Sequence, residues 1–242
     1  MVLFSTLRQR QLEPEIMDQP DLDPIQHQQA LRGLARINRW SRTASCLWTP
    51  IQKLLHSSDR PLDVLDVACG AGDNLVRLAQ RAKRQNVPLR FHGCDISPVA
   101  LEHAQSRAEK EKVDLSLFHC NILSDELPQT YDVVINSLFL HHLNEAEGLI
   151  LLQKMSQAAS GLLLVNDLNR CRRGLILAWL GSRVLSRSYV VHVDAVLSVR
   201  AALTPQEALI LAERAGLSQA TVRRTWPFRY LLEWNREQDK RL

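Results

Sequence analysis

The sequence predicts an α/β domain on a doubly wound, largely parallel sheet, with a helical cap in front and an insertion late in the chain. Three observations predict it. From residue 60 to about 167, short apolar runs alternate with helical stretches, the pattern of a parallel sheet between two helical layers. The first run, Leu62–Val67, breaks into "DVACGAGD", a small-residue turn where open sheets bind ligands. Near the C-terminus, "QATVRRTWPFRYLLEW" supplies a closing β-hairpin.

Residues 1–59 form a leader and helical cap, and residues 60–242 the domain. Up to about residue 28 the chain is rich in prolines and acids ("LEPEIMDQPDLDP") and reads as extended. Ala30, Leu31, Leu34, Ile37 and Trp40 then recur at helical intervals, predicting two helices with the break before Pro50, because the residue preceding a proline avoids the helical region. The strands follow at Leu62–Val67, Leu89–Cys94, Val113–Phe118, Tyr131–Ser137 and Gly161–Val165, with helices at Asp73–Arg84, Pro98–Glu111 and Glu145–Ala159 between them. Residues 169–203 interrupt this rhythm with an apolar helical piece, "RGLILAWLGSRVLSRS", and an alternating one, "YVVHVDAVL". They read as a lid over the ligand edge of the sheet. Thr204, with Glu207 three residues on, predicts a capping box for the last helix of the domain.

With 242 residues, 45% of them apolar, the chain suits one domain with additions. Five scattered cysteines without a C-x-x-C pair suggest neither a disulfide framework nor a zinc site, and point to a reduced, cytoplasmic setting. The first residues lack the pattern of a signal peptide, and no run approaches the roughly 18 apolar residues of a membrane span. The net charge of +4 is concentrated at the end: from Gly161 on there are 13 Lys and Arg against 7 Asp and Glu. That asymmetry fits an anionic partner or solvated helix faces.

The glycine turn carries the chemistry. Gly70 and Gly72 permit positive φ and close backbone approach to a ligand. A dinucleotide fingerprint would aim a third glycine and a helix N-terminus at a pyrophosphate. Here Leu75 stands at the third position and Asp73 opens the helix. An acid beside a pyrophosphate is electrostatically wrong, whereas it suits the sulfonium and amine of S-adenosylmethionine. Asp66, at the end of the first strand, suits the same ammonium. Asp95, 25 residues after Gly70 at the end of the second strand, can take both ribose hydroxyls, with Ile96 on the adenine face. Asn121, followed by Ile122, either reads the adenine edge or closes a turn. Asn136 ends the fourth strand, and Leu138 and Phe139 wall the pocket beyond it.

These segments resemble the class I S-adenosylmethionine-dependent methyltransferases: "VLDVACGAGD" their glycine motif, "GCDIS" their ribose acid, "YDVVINSLFLHHL" their fourth-strand motif. Ala68 replaces the first glycine of the motif, and Asn121 the more usual acid. The resemblance implies a Rossmann-like seven-stranded sheet of order 3-2-1-4-5-7-6 whose last two strands form the hairpin. It implies cofactor contacts from Asp66, Ala68, Cys69, Gly70, Gly72, Asp73, Asp95, Ile96, Asn121, Ile122 and Asn136. The leader and the "NDLNR…GLILAWL" segment are also similar to bacterial methyltransferases of polyketides and quinone precursors.

Transfer to a phenol, whose pKa is about 10, gains from a positioned base at neutral pH. His141, after the fourth strand, is one candidate. His192, sharing a strand face with Asp194 if "YVVHVDAVL" is extended, is the other. No metal is expected, because the side chains of His141 and His142 should diverge. Arg170, Arg172 and Arg173 either hold an acidic acceptor or solvate a helix start. The expected activity is methyl transfer to a small, largely apolar acceptor, on oxygen, by a monomer or homodimer. A nucleic-acid or protein methyltransferase is disfavoured, since "NSLF" lacks the N-P-P-Y type motif. The remaining alternative is a membrane-peripheral module, with "GLILAWLGSRVLSRS" lying on a bilayer.

Overall fold

The computed structural model describes residues 7–18, 22–23, 25–26, 29–30, 33, 36–37 and 43–239. Seven strands form one sheet: β1 (Leu62–Val67), β2 (Leu89–Asp95), β3 (Ser116–His119), β4 (Tyr131–Ser137), β5 (Ala159–Leu168), β6 (Thr221–Thr225) and β7 (Arg229–Asn235). Their order is β3-β2-β1-β4-β5-β7-β6, as the family resemblance implies, with β1 to β5 parallel and β7 antiparallel to both β5 and β6. β4 is buried through its first six residues and β1 through all but Asp63. Both faces of these strands are covered, hence their nearly continuous apolar sequences. Register aligns Val67 with Cys94 on one side and Asn136 on the other, so the ends of β1, β2 and β4 lie abreast. Strand order reverses between β1 and β4, opening a crevice beyond their carboxyl ends.

Beyond the helical residues 25–26, 29–30, 33 and 36–37, the helices among the described residues are α1 (Thr43–His56), α2 (Asp73–Gln85), α3 (Pro98–Glu111), α4 (Glu145–Ala158), α5 (Arg172–Leu185), α6 (Tyr189–Ala201), α7 (Pro205–Arg214) and a terminal turn, α8 (Arg236–Asp239). Two apolar clusters, one on each face of the sheet, form the core. Asn144 and Glu147 form a capping box at α4, and Thr204 and Glu207 the predicted one at α7. Each satisfies backbone donors that a helix start otherwise leaves open.

Several elements depart from the sequence reading. Pro50 lies inside α1 rather than at a break. It removes one helical donor, but Leu47, Trp48, Ile51 and Leu55 are buried on the same helix and hold its path. Of the predicted preceding helix, Leu31, Leu34 and Trp40 lie outside the described residues. β3 starts only at Ser116, because the Val113 N–H still bonds back to Ala108 and closes α3. β5 extends to Leu168 because β7 pairs with it as far as Arg229. The "YVVHVDAVL" run is the helix α6, not a strand. Its buried Val190, Val191, Asp194, Ser198 and Val199 follow the helical period, and packing on α5 selects that period over the alternating one.

The leader is pinned as a strap. The Arg10 guanidinium donates to the carbonyls of Ala201, Leu140 and His141. Farther on, the N–H groups of Ile16 and Met17 donate to the Asp194 carboxylate at 2.8 and 3.0 Å. Arg170, buried, donates to the Ala202 carbonyl and pairs with Glu207 at 2.5 Å, fastening the insertion to α7. It therefore braces the lid rather than waiting for an acidic acceptor. Arg172 and Arg173 are exposed at the start of α5. No single helix among the described residues is long and apolar enough to cross a membrane.

Candidate active site

The crevice holds a cavity of about 540 Å³, bounded by the glycine turn, the segment after β4, the inner side of α5, α6 and the strap. Its floor is strained where the sequence departs from glycine. Ala68 has φ +52°, beside Gly70 at +54° and Gly72 at +70°, so three left-handed residues bend the chain from β1 into α2. A Cβ built on Gly70 meets nothing within 4 Å, whereas one on Gly72 touches Ala104 at 3.0 Å. Gly70 thus leaves backbone open to a ligand, and Gly72 allows α2 to pack on α3.

Asp95 braces this turn. Its carboxylate accepts from the Gly70 N–H at 2.8 Å and the Ser97 N–H at 2.9 Å, while Ser97 caps α3 through its own hydroxyl. One lone pair on each oxygen is thereby used and the other left for hydroxyl donors. Asp66 is buried with Oδ1 unpaired. Burial and the nearby Asp95 charge push its carboxyl up to about 8. Asn74 Oδ1 and Ser137 Oγ, both in residues of the cavity wall, are likewise buried and unpaired. Unsatisfied buried polar atoms are costly, and clustering at the turn is what a site for a polar, cationic ligand requires. The residues therefore fit the ammonium, sulfonium and ribose of S-adenosylmethionine.

The other predicted cofactor residues divide. Ala68, Cys69, Gly70 and Asp73 line the cavity, and Asp73 pairs with Arg107, a cation that sequence reasoning did not bring to it. Ile96 is 59% exposed and does not line the cavity. Asn136 is buried and uses Nδ2 to hold the Val67 carbonyl at 2.7 Å, tying β4 to β1. Asn121 Oδ1 accepts from the Leu123 N–H at 3.1 Å, so the turn reading fits it, and Ile122 is packed in the core. Burial pushes the Cys69 and Cys94 thiols well up, consistent with packing rather than chemistry.

Among the candidate bases, His141 sits on the cavity wall and His192 does not. A single 3₁₀ turn, Leu140–His142, folds the chain back after β4. Buried His141 then meets Asp167, near the end of β5, with Nδ1 2.6 Å from Oδ1, while the His141 backbone N–H donates to Oδ2 at 3.0 Å. Burial pushes the Asp167 carboxyl up, but the His141 charge and hydrogen bond, with the Leu168 N–H, hold it below the ordinary range. His192, by contrast, bonds through Nε2 to the Ser186 carbonyl at 2.8 Å. Its expected pairing with Asp194 is absent from the fold, because residues two apart on a helix diverge.

The strap adds Glu15, whose Oε1 lies 3.7 Å from His141 Nε2 and accepts from the Ser198 hydroxyl. His141 and His142 do not diverge as expected. The 3₁₀ turn leaves their ring centres 4.3 Å apart, and ligand atoms of Glu15, His141 and His142 lie within 4.8 Å of one another. Phe228 and Arg229 close the cavity from the hairpin, and burial lowers the Arg229 guanidinium to about 10. Asp167, Glu15 and Arg229 escaped the sequence reading. Only Asp167 carried a signal, an acid ending an apolar run, as Asp66 and Asp95 do.

Residues 64–160 match the family model described as a methyltransferase domain. Among solved structures, the plantazolicin methyltransferase BpumL, in complex with a triazolic desmethylPZN analog and SAH, is 18% identical with a TM-score of 0.66, over 88% of this chain and 91% of that one. Magnesium protoporphyrin IX methyltransferase from Synechocystis PCC 6803, with bound SAH, is 18% identical with a TM-score of 0.58, over 91% of each chain. A SAM-dependent methyltransferase from Aquifex aeolicus is 17% identical with a TM-score of 0.56, over 81% and 92%. No curated protein matches the chain.

Proposed function

We infer that this chain, an S-adenosylmethionine-dependent methyltransferase, methylates an oxygen of a small, largely apolar acceptor of phenolic, polyketide or quinone type, with His141 as general base. The observation carrying this reading is His141 on the wall of a cavity that also reaches the glycine turn, backed by the buried Asp167 behind it. When bound, S-adenosylmethionine supplies a sulfonium methyl open to displacement by an oxygen. Asp95 would hold the ribose through its free lone pairs, and Asp66 and Asn74 would accept from the ammonium. Gly70, at the centre of the turn, gives backbone contact without a side chain in the way.

The acceptor half of the cavity is mostly apolar, with Leu138, Leu168, Leu177 and Phe228 among its walls. Such walls orient a ring and exclude water, and most of the rate comes from holding the oxygen about 3–3.5 Å from the methyl. Asp167 accepts from Nδ1–H, fixing the tautomer that leaves Nε2 basic toward the cavity. His141 Nε2 then takes the hydroxyl proton as the oxygen reacts. Enclosure by α5, α6 and the strap favours a small molecule over a polymer, and the five free thiols suit the cytoplasm.

Methyl transfer to a panel of soluble phenols and quinols tests this reading. His141→Ala should slow transfer by about 10²–10⁴-fold at neutral pH, the usual contribution of a positioned base. Equal rates in the variant and the native protein would remove His141 from the chemistry.

A further inference from the structure

Helix α5 has two different faces. Gly174, Leu177, Ala178, Gly181, Ser182 and Leu185 line the cavity. On the opposite side Ile176, Trp179, Leu180 and Val184 are exposed, Trp179 by 42% and Val184 by 83%. Their spacing of three, one and four residues makes one continuous stripe, and Tyr189 (71% exposed), just beyond at the start of α6, extends it. Scattered apolar residues on a surface need no explanation, but a contiguous patch does.

Charge indicates what covers it. Arg172 and Arg173 are exposed at one end of the stripe, and Arg183 and Arg187 at the other. The Arg183 guanidinium lies over the Trp179 ring at 4.3 Å. Between Asp167 and Asp194 the sequence holds no carboxylate side chain at all. An apolar stripe carrying a tryptophan and edged by arginines is the pattern of a helix lying in a lipid interface. A second copy seated by a two-fold axis would bring these arginines against their own counterparts, whereas anionic headgroups complement them.

We propose that the outer face of α5 docks the protein on an anionic lipid bilayer, so that the cavity behind the same helix takes a lipophilic acceptor directly from the membrane. The docking stands on the surface alone; the lipophilic acceptor rests on the apolar-acceptor reading above.

Flotation of the intact protein with phosphatidylcholine vesicles, with and without phosphatidylglycerol, tests it. The protein should float with phosphatidylglycerol vesicles, be released by high salt, and bind at least about tenfold more weakly after Leu180→Asp with Val184→Asp. The same variant should methylate a short, water-soluble phenol at the native rate, because neither side chain lines the cavity. Failure of the native protein to float overturns the docking. So does a dimer in solution that Val184→Asp dissociates, since the face would then join two copies. Flotation lost only with Leu180→Asp and Val184→Asp, in a protein that methylates no phenol, would support docking while overturning the acceptor reading.

Discussion

His141 and Asp167 meet twice, through the imidazole Nδ1 at 2.6 Å and through the His141 backbone N–H at 3.0 Å. The first contact sets the tautomer and the second sets where the ring stands. Asp167→Asn keeps the shape but removes the charge that stabilises an imidazolium. Transfer should fall by at least about tenfold in kcat, with KM for the acceptor little changed. The carboxyl of Asp167 is held low in the folded chain, so its contribution to stability is present above its unfolded pKa and lost as pH falls through the folded one. Stability followed by circular dichroism should therefore fall more steeply with decreasing pH in the native protein than in Asp167→Asn, which lacks that contribution at every pH.

Asp66 predicts proton release on cofactor binding. Its carboxyl is raised from 3.8 to about 8 by burial and by Asp95. Across that window the folded chain keeps a proton that the unfolded chain has lost, so stability without ligand falls as pH rises. A cationic ligand reverses the preference and expels the proton. Calorimetry in buffers of different ionisation enthalpy should detect release of up to one proton near pH 7 and almost none above the folded pKa. Asp66→Asn should abolish the release; release persisting in that variant would assign it to another group.

The two backbone bonds of Asp95 brace the glycine turn, and its remaining lone pairs are those proposed to hold the ribose. Asp95→Ala should weaken S-adenosylmethionine by about 100-fold or more, since hydrogen bonds to a charged group contribute about 1.5–3 kcal/mol each. Unchanged affinity by calorimetry would displace the cofactor from this turn.

Glu15, His141 and His142 form a donor set that a divalent cation could also use. With His141 acting as a base, transfer should be unchanged in excess EDTA and on adding zinc. Activity lost to the chelator and restored by metal would reassign the cluster to a metal centre.

The glycine turn was legible because its function is local. Strand, two glycines and acid are consecutive, and Asp95 follows at the spacing that one β-α-β unit imposes. Asp167 was half legible, as an acid ending an apolar strand, but nothing along the chain pairs it with His141. The α6 run failed for a definite reason: "YVVHVDAVL" satisfies both the alternating and the helical period, and only packing on α5 and the strap distinguishes them.

By itself the sequence determined the alternation of strands and helices, the capping box at Thr204 and the two-glycine turn, since periodicity and backbone geometry act over a few residues, while the strand order came from the family resemblance. Tertiary structure alone decided which histidine faces the cavity, that Glu15 of the strap reaches it, and that one side of α5 stays uncovered. These depend on contacts between residues up to 191 positions apart, as in Arg10 with Ala201, and such contacts leave no local pattern to read.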